Sequence, residues 1–223
     1  MQLNVLYEDN HLIAVFKPAG VLAQRDETGD ISLMDGVKSY LKKKYQKSGN
    51  VFLGLLHRLD RPVSGIILFA KTSKGASRLS EQFRNHKIKK TYHAIVIGKT
   101  KKEKGTLVDY LEKDEKNRKT RISKEEITSP AELSYELIAS NAKYSLLKIN
   151  LKTGRFHQIR SQLSFIGCPI LGDVKYGASA ALSNKSIALA ATSISFKTAT
   201  TKENKEISIS LPIEWKKYGF TAK

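Results

Sequence analysis

Ten consecutive residues, Leu56-His57-Arg58-Leu59-Asp60-Arg61-Pro62-Val63-Ser64-Gly65, set one carboxylate among three basic side chains. A carboxylate can attack or electrostatically stabilise an electron-poor carbon, and a neighbouring cation keeps it ionised. Pro-x-Ser-Gly signals a turn, and the run Ile66 to Ala70 behind it is too apolar for an exposed strand. A loop pinned to a buried strand is where catalytic groups concentrate. The same residues also suit an Asp–Arg ion pair on a surface loop, a common and weak feature. Local physics alone leaves both readings open.

Further groups with chemistry to offer lie along the chain. Lys17 opens a Lys17-Pro18-Ala19-Gly20 loop and is either merely solvated or a cleft residue. Tyr92 lies on a strand over residues 89–98, sharing one face with Ala94, Val96 and Gly98 by alternation. A lone strand tyrosine is by default a core residue. The segment Leu151 to Arg160 carries Thr153-Gly154-Arg155 as a turn, followed by His157 and Arg160. Cys168 is the sole cysteine, which excludes an internal disulfide framework and a cysteine-cluster metal site. Its neighbours Ile166, Pro169 and Ile170 are apolar, so a buried inert thiol is expected.

Elements that would position these groups follow from periodicity. Asn4 to Glu8 and His11 to Lys17, split by Asp9-Asn10, read as a hairpin. Residues 32–47 place Leu33, Val37, Tyr40, Leu41 and Tyr45 at helical spacing, with Asp30 or Ser32 as cap. A second helix is expected over Ala76 to Asn85, with Leu79 and Phe83 inward and Ser73 as cap. Ala131 to Ala139 and Tyr144 to Leu151 read as paired strands. A third helix is expected over Phe156 to Ile166, with Phe156, Ile159, Leu163 and Ile166 as its apolar stripe. Asp173, in Leu-Gly-Asp-x-x-Tyr-Gly, looks structural. Two apolar alternating stretches, Ile187 to Phe196 and Ile207 to Leu211, close the pattern. Residues 99–129 are charged and sustain no period, so a mobile loop or irregular hairpins would fit, with Lys116, Arg118, Lys119 and Arg121 solvated rather than phosphate-bound.

The totals limit the classes available. At 223 residues with 40% apolar content, one domain with a core is expected and disorder is not the default. Lys and Arg number 39 against 21 acids, a net +18 that calls for a polyanionic partner. No apolar run approaches the ~20 residues of a bilayer span, and the N-terminus does not read as a secretory signal. A cytoplasmic protein without membrane contact is expected.

His57-Arg-Leu-Asp60-Arg-x-x-Ser-Gly resembles the central motif of the RluA family of pseudouridine synthases. Lys17-Pro-x-Gly resembles the family's first motif, Lys90-x-Tyr92-x-Ala-x-Val-x-Gly its second landmark, and Leu151-x-Thr-Gly-Arg-x-His-Gln-Ile-Arg160 its third motif. The likeness runs from about residue 4 to 215. It implies an α+β pseudouridine synthase fold: a bent, mixed, mainly antiparallel sheet with flanking helices and a central catalytic cleft. The chain would be a single catalytic domain with a charged insert at about 99–129, beginning too late to carry a small N-terminal RNA-binding domain. The resemblance makes Asp60 the nucleophile, Arg160 its partner and Tyr92 the residue that stacks on the target base. Spacing alone does not separate Arg160 from Arg155 or Arg61. Arg58 would fill the stack vacated by the flipped base. Leu59 and Ile66 would be apolar walls, and His57 either a structural histidine or an RNA contact. Lys17, Arg61, Arg155 and His157 complete the substrate-binding set. The implied partner is ribosomal or transfer RNA, the expected state a monomer, and the chemistry calls for neither metal nor other cofactor. Two positions depart from the pattern. Val63 replaces a usual threonine, and Leu189-Ala190-Ala191 replaces Leu-His-Ala.

Competing classes fare worse. A non-catalytic RNA-binding protein explains the charge but not a carboxylate amid arginines. A glycoside hydrolase needs two carboxylates ~5–9.5 Å apart, with Asp173 the one obvious second. A membrane-surface protein needs a basic helix with bulky apolar anchors, and the apolar face of the 32–47 helix is better spent on a core.

Overall fold

The computed structural model describes residues 2–126 and 129–221. Two compact units divide the chain: Met1–Ile88 with Ser193–Ile209, and Lys89–Thr192 with Ser210–Lys223.

In the first unit, β1 (Asn4–Glu8) and β2 (Leu12–Lys17) form the expected antiparallel hairpin. Asp9 closes it, its carboxylate accepting from the backbone N–H groups of His11 and Leu12, each at 2.7 Å. Helix α1 (Leu33–Lys44) starts at Ser32 in a capping box with Asp35 and buries Leu33, Val37 and Leu41. Tyr45 lies just past its end, where its hydroxyl and Lys44 both reach Glu8. The two-residue β3 (Gly54–Leu55) and β2 each pair antiparallel with β4 (Ser64–Ala70). Helix α2 (Ser73–Arg84) is capped by Thr72, one residue before the expected Ser73, because the Thr72 hydroxyl is the one that reaches the Gly75 N–H.

In the second unit, β5 (Lys89–Ile97), β6 (Lys104–Asp114), β7 (Lys119–Ser123), β8 (Ala131–Ser140) and β9 (Tyr144–Leu151) form an antiparallel array in the order β5-β9-β8-β6-β7. Within the charged stretch at 99–129, residues 104–114 and 119–123 form a regular β6–β7 hairpin, so of the two alternatives the hairpin is the one found; residues 127–128 lie outside the described set. The first half of β6 pairs with β8, from Lys104↔Glu136 to Asp109↔Ala131, and the second half with β7, from Tyr110↔Ser123 to Asp114↔Lys119. Backbone pairing needs no apolar alternation, so a strand with charges on an open face escapes a periodicity test.

Helix α3 spans only Gln158–Phe165. It starts two residues later than expected because His157, at φ 52, takes the left-handed conformation. The strand β10 (Leu189–Lys197) passes from the second unit into the first, where its end pairs antiparallel with β11 (Asn204–Ser208). The first unit's core gathers Leu12, Ala14, Ile66, Leu68, Ala70, Leu79, Ile194, Phe196 and Ile207. Ile66 thus belongs to that core, and Leu59 is buried as well. The α+β reading with mainly antiparallel strands holds. No helix among the described residues is long and apolar enough to cross a membrane.

Candidate active site

Asp60 stands in the turn that feeds β4, and three features fix that turn. Val63 N–H closes it on the Asp60 carbonyl at 3.0 Å. Gly65, opposite Lys17 in the β2–β4 register, has φ 130, a conformation open to glycine and costly for other residues. The Arg61 carbonyl accepts from the Gly20 N–H at 2.7 Å and from Lys17 Nζ at 3.1 Å. The Arg61 guanidinium returns a bond to the Gly20 carbonyl at 2.9 Å and pairs with Asp30 at 2.6 Å. The Lys17-Pro-x-Gly loop and the Asp60 turn are thereby stitched together.

Lys17 departs most from its expected place. Its side chain is 0% exposed, so it is neither solvated nor open to a substrate. Its ammonium donates to the carbonyls of Pro18, Val21 and Arg61 at 3.0, 2.7 and 3.1 Å. Burial pulls its pKa down to about 7, while the Asp60 carboxylate pulls the other way. A cation at the base of the turn is thus coupled electrostatically to Asp60. A signal existed in the sequence: Lys17 continues the apolar run Leu12 to Phe16, buried on both faces.

His57 resolves toward its structural alternative. Its Nε2 accepts the Leu68 N–H at 3.0 Å and its ring lies 5.3 Å from that of Phe83. Arg58 is exposed. Val63 is 2% exposed, so a methyl packs where a hydroxyl would need a buried partner, and Ala190 and Ala191 are buried too. Both departures from the family pattern are packing positions.

The second unit holds the other residues. Tyr92 sits on β5 opposite Ile149 and is 7% exposed. Arg160, on α3, forks onto Asp173, Nε to Oδ2 at 2.7 Å and Nη2 to Oδ1 at 2.8 Å, both residues being buried. Its guanidinium also lies 4.9 Å from the centre of the Tyr176 ring. Asp173 is held in turn by its own backbone carbonyl, which accepts from Tyr176 and Ala178 N–H groups. The structural reading of Asp173 is therefore correct, and it has a specific content: it orients Arg160.

Tyr176 links this pair to the turn before α3. Thr120 N–H donates to the Tyr176 hydroxyl at 2.8 Å, leaving the hydroxyl proton for His157 Nδ1, also at 2.8 Å. That requires neutral His157, and burial with the charges of Arg160 and Lys175 lowers its pKa to about 3. Thr120 Oγ1 donates to the Phe156 carbonyl at 2.8 Å. Phe156, expected on the helix stripe, lies outside the helix with its ring stacked on His157 at 3.8 Å, and it is 42% exposed. Arg155 is exposed beside it. Among the described residues no group of three or more His, Cys, Asp or Glu could hold a metal ion.

Comparison with known proteins agrees with these motifs. Residues 11–165 match the RNA pseudouridylate synthase family model. The chain is 35% identical over 187 residues to the RNA pseudouridine synthase YhcT of Bacillus subtilis, covering 82% of this chain and 61% of that one. It is 37% identical over 192 residues to tRNA pseudouridine synthase C of Haemophilus ducreyi, covering 79% and 75%. It is 33% identical over 178 residues to ribosomal large subunit pseudouridine synthase D of Borreliella burgdorferi, covering 78% and 54%. The chain thus spans between about half and three quarters of these relatives. Among solved structures, the human RNA pseudouridylate synthase domain containing 4 superposes with a TM-score of 0.78 at 23% identity, over 95% of this chain and 90% of that one. The human domain containing 1 protein gives 0.75 at 20% identity, over 93% and 83%. These two likenesses concern the fold.

Proposed function

The chain belongs to the RNA pseudouridylate synthase family, and from that premise we propose that it isomerises uridine to pseudouridine in RNA with Asp60 as nucleophile. In this reaction the N1–C1′ glycosidic bond breaks, a C5–C1′ bond forms, the proton on C5 is lost to solvent and N1 takes one up, so the product is an isomer of the substrate. No electrons or external groups are exchanged, so the chemistry calls for no cofactor.

The observation that carries the reading is the Asp60 turn. A carboxylate is presented on a loop locked by Lys17, Gly20 and Arg61, with a buried cation bearing on it. Such preorganisation suits a group that must meet developing positive charge at an anomeric carbon. Tyr92 is assigned to stack on the extruded uracil and Arg160 to balance charge at the reacting carboxylate, both on the family pattern. The fixed orientation of Arg160 by Asp173 is consistent with that role. Exposed Arg58 is assigned to the vacated base stack, since a guanidinium plane can replace a base. Arg155 is retained as a phosphate contact. Lys17 and Arg61 are read as holding the turn, and His57 as holding β4 through the Leu68 N–H, rather than as substrate contacts.

The substrate proposed is transfer or ribosomal RNA, the two classes named among the relatives, met by a cytoplasmic monomer through the +18 surface. Asp60→Asn is expected to abolish tritium release from RNA carrying 5-tritiated uridine while binding the same RNA nearly as well as wild type. Turnover at the wild-type rate in that variant would overturn the assignment. A binding-only protein would release no tritium even as wild type. Mapping pseudouridines in RNA from cells with and without the protein identifies the position modified.

A further inference from the structure

Phe156 is an aromatic side chain with no place in the core and no role in the reaction as described. Its ring stacks on His157 with centroids 3.8 Å apart and planes 20° from parallel, and 42% of the residue stays in solvent. The support beneath it is rigid. His157 is locked by Tyr176, whose hydroxyl also takes the Thr120 N–H, and Thr120 Oγ1 grips the Phe156 carbonyl. Two elements distant in sequence, the β6–β7 hairpin and the turn before α3, therefore converge to hold one exposed ring.

Its surroundings are cationic. Arg155 precedes it and is exposed. Lys175 donates to the carbonyls of Asn117 and Arg118 at 3.4 and 3.2 Å, and its charge is felt at His157. Two acids at the hairpin's tip are in ion pairs: Asp114 with Arg121, and Glu115 with Lys113. An apolar ring backed on one face, with the exposed Arg155 next to it on a chain of net charge +18, matches a nucleobase joined to phosphates better than an apolar peptide.

We propose that Phe156 is a stacking platform for an unpaired base of the RNA, on a nucleotide other than the one isomerised. This rests on the RNA-substrate reading above. Every base has a π-face, so the platform adds affinity for single-stranded or looped RNA without specifying sequence.

The test is fluorescence anisotropy with a labelled short oligouridylate and with an RNA duplex, each across a salt series. Phe156→Leu keeps apolar bulk but cannot stack, and Phe156→Trp stacks; thermal melting of both confirms the fold. Phe156→Leu is expected to weaken single-strand binding about tenfold, to leave duplex binding unchanged and to leave the slope of log K against log salt unchanged. Phe156→Trp is expected to bind as wild type. Arg155→Ala, by contrast, should reduce the single-strand slope by ~0.7. Unchanged single-strand affinity in Phe156→Leu, or an equal loss on duplex, overturns the platform. Tritium release by the wild type reports separately on the isomerase reading. A protein that binds through Phe156 yet releases no tritium sinks that reading and leaves the platform standing. A wild type that releases tritium while Phe156→Leu binds normally does the reverse.

Discussion

Lys17 shows how much one side chain can organise. A buried ammonium without partners would be untenable, but three carbonyls accept from it, and two of them lie in the loop it opens. Its folded pKa near 7 lies below the ordinary lysine value of 10.5, so burial disfavours the charged form. Between pH 7 and 10.5 the unfolded chain then binds more protons than the folded one, and the folded state gains stability as pH rises through that window. Below pH 7 both states are protonated and the gain is absent. Lys17→Met removes this titration. Denaturant midpoints measured from pH 7 to 9 should rise in wild type relative to Lys17→Met, and parallel curves would refute the linkage. The residue's identity was legible as a motif member. Its burial was signalled only by the apolar run Leu12 to Phe16 that it continues, because a Lys-Pro-x-Gly loop by itself looks the same whether the lysine points to solvent or inward. Asp60 was the converse case: local spacing left it open, the resemblance to a family motif singled it out, and the fold gives it a rigid mount.

At the scale of elements, the β6–β7 hairpin and the turn before α3 are joined by Tyr176. Tyr176→Phe would strand a backbone N–H at Thr120 and Nδ1 of His157, both buried or half-buried. The expected loss is ~1–3 kcal/mol, the range for leaving such groups unsatisfied, read as a shift in the urea midpoint at constant slope. A loss below a few tenths would mean that water replaces the hydroxyl. Most elements were legible to within a few residues, as with the Asn4–Glu8 hairpin strand, the Ser32-capped helix and the Tyr144–Leu151 strand. Two features escaped periodicity for one reason. The 104–123 hairpin carries charge on its open face, and Phe156 stands outside the helix whose spacing it fits, because His157 adopts φ 52. Periodicity reports burial, and neither of these features is defined by burial.

For the whole molecule, the dominant property is charge. With 39 basic and 21 acidic residues, binding to RNA is expected to be strongly salt-dependent, each neutralised phosphate on a single strand adding ~0.7 to the slope of log K against log salt. Measuring affinity for bulk transfer RNA between low and physiological salt checks this, and a flat response would mean that charge is incidental to recognition. The sequence by itself determined the α+β class, the attraction to a polyanion, the family and the candidate nucleophile. These are carried by composition, by short-range period and by motifs whose members lie within ten residues of each other. Tertiary structure alone decided that Lys17 and Arg61 serve the turn, that Asp173 orients Arg160, that Val63 and Ala190 are packing positions, and that Phe156 faces solvent on a stacked support. Each of those facts depends on which distant group arrives as a partner, and a side chain's own neighbours in the chain do not carry that information.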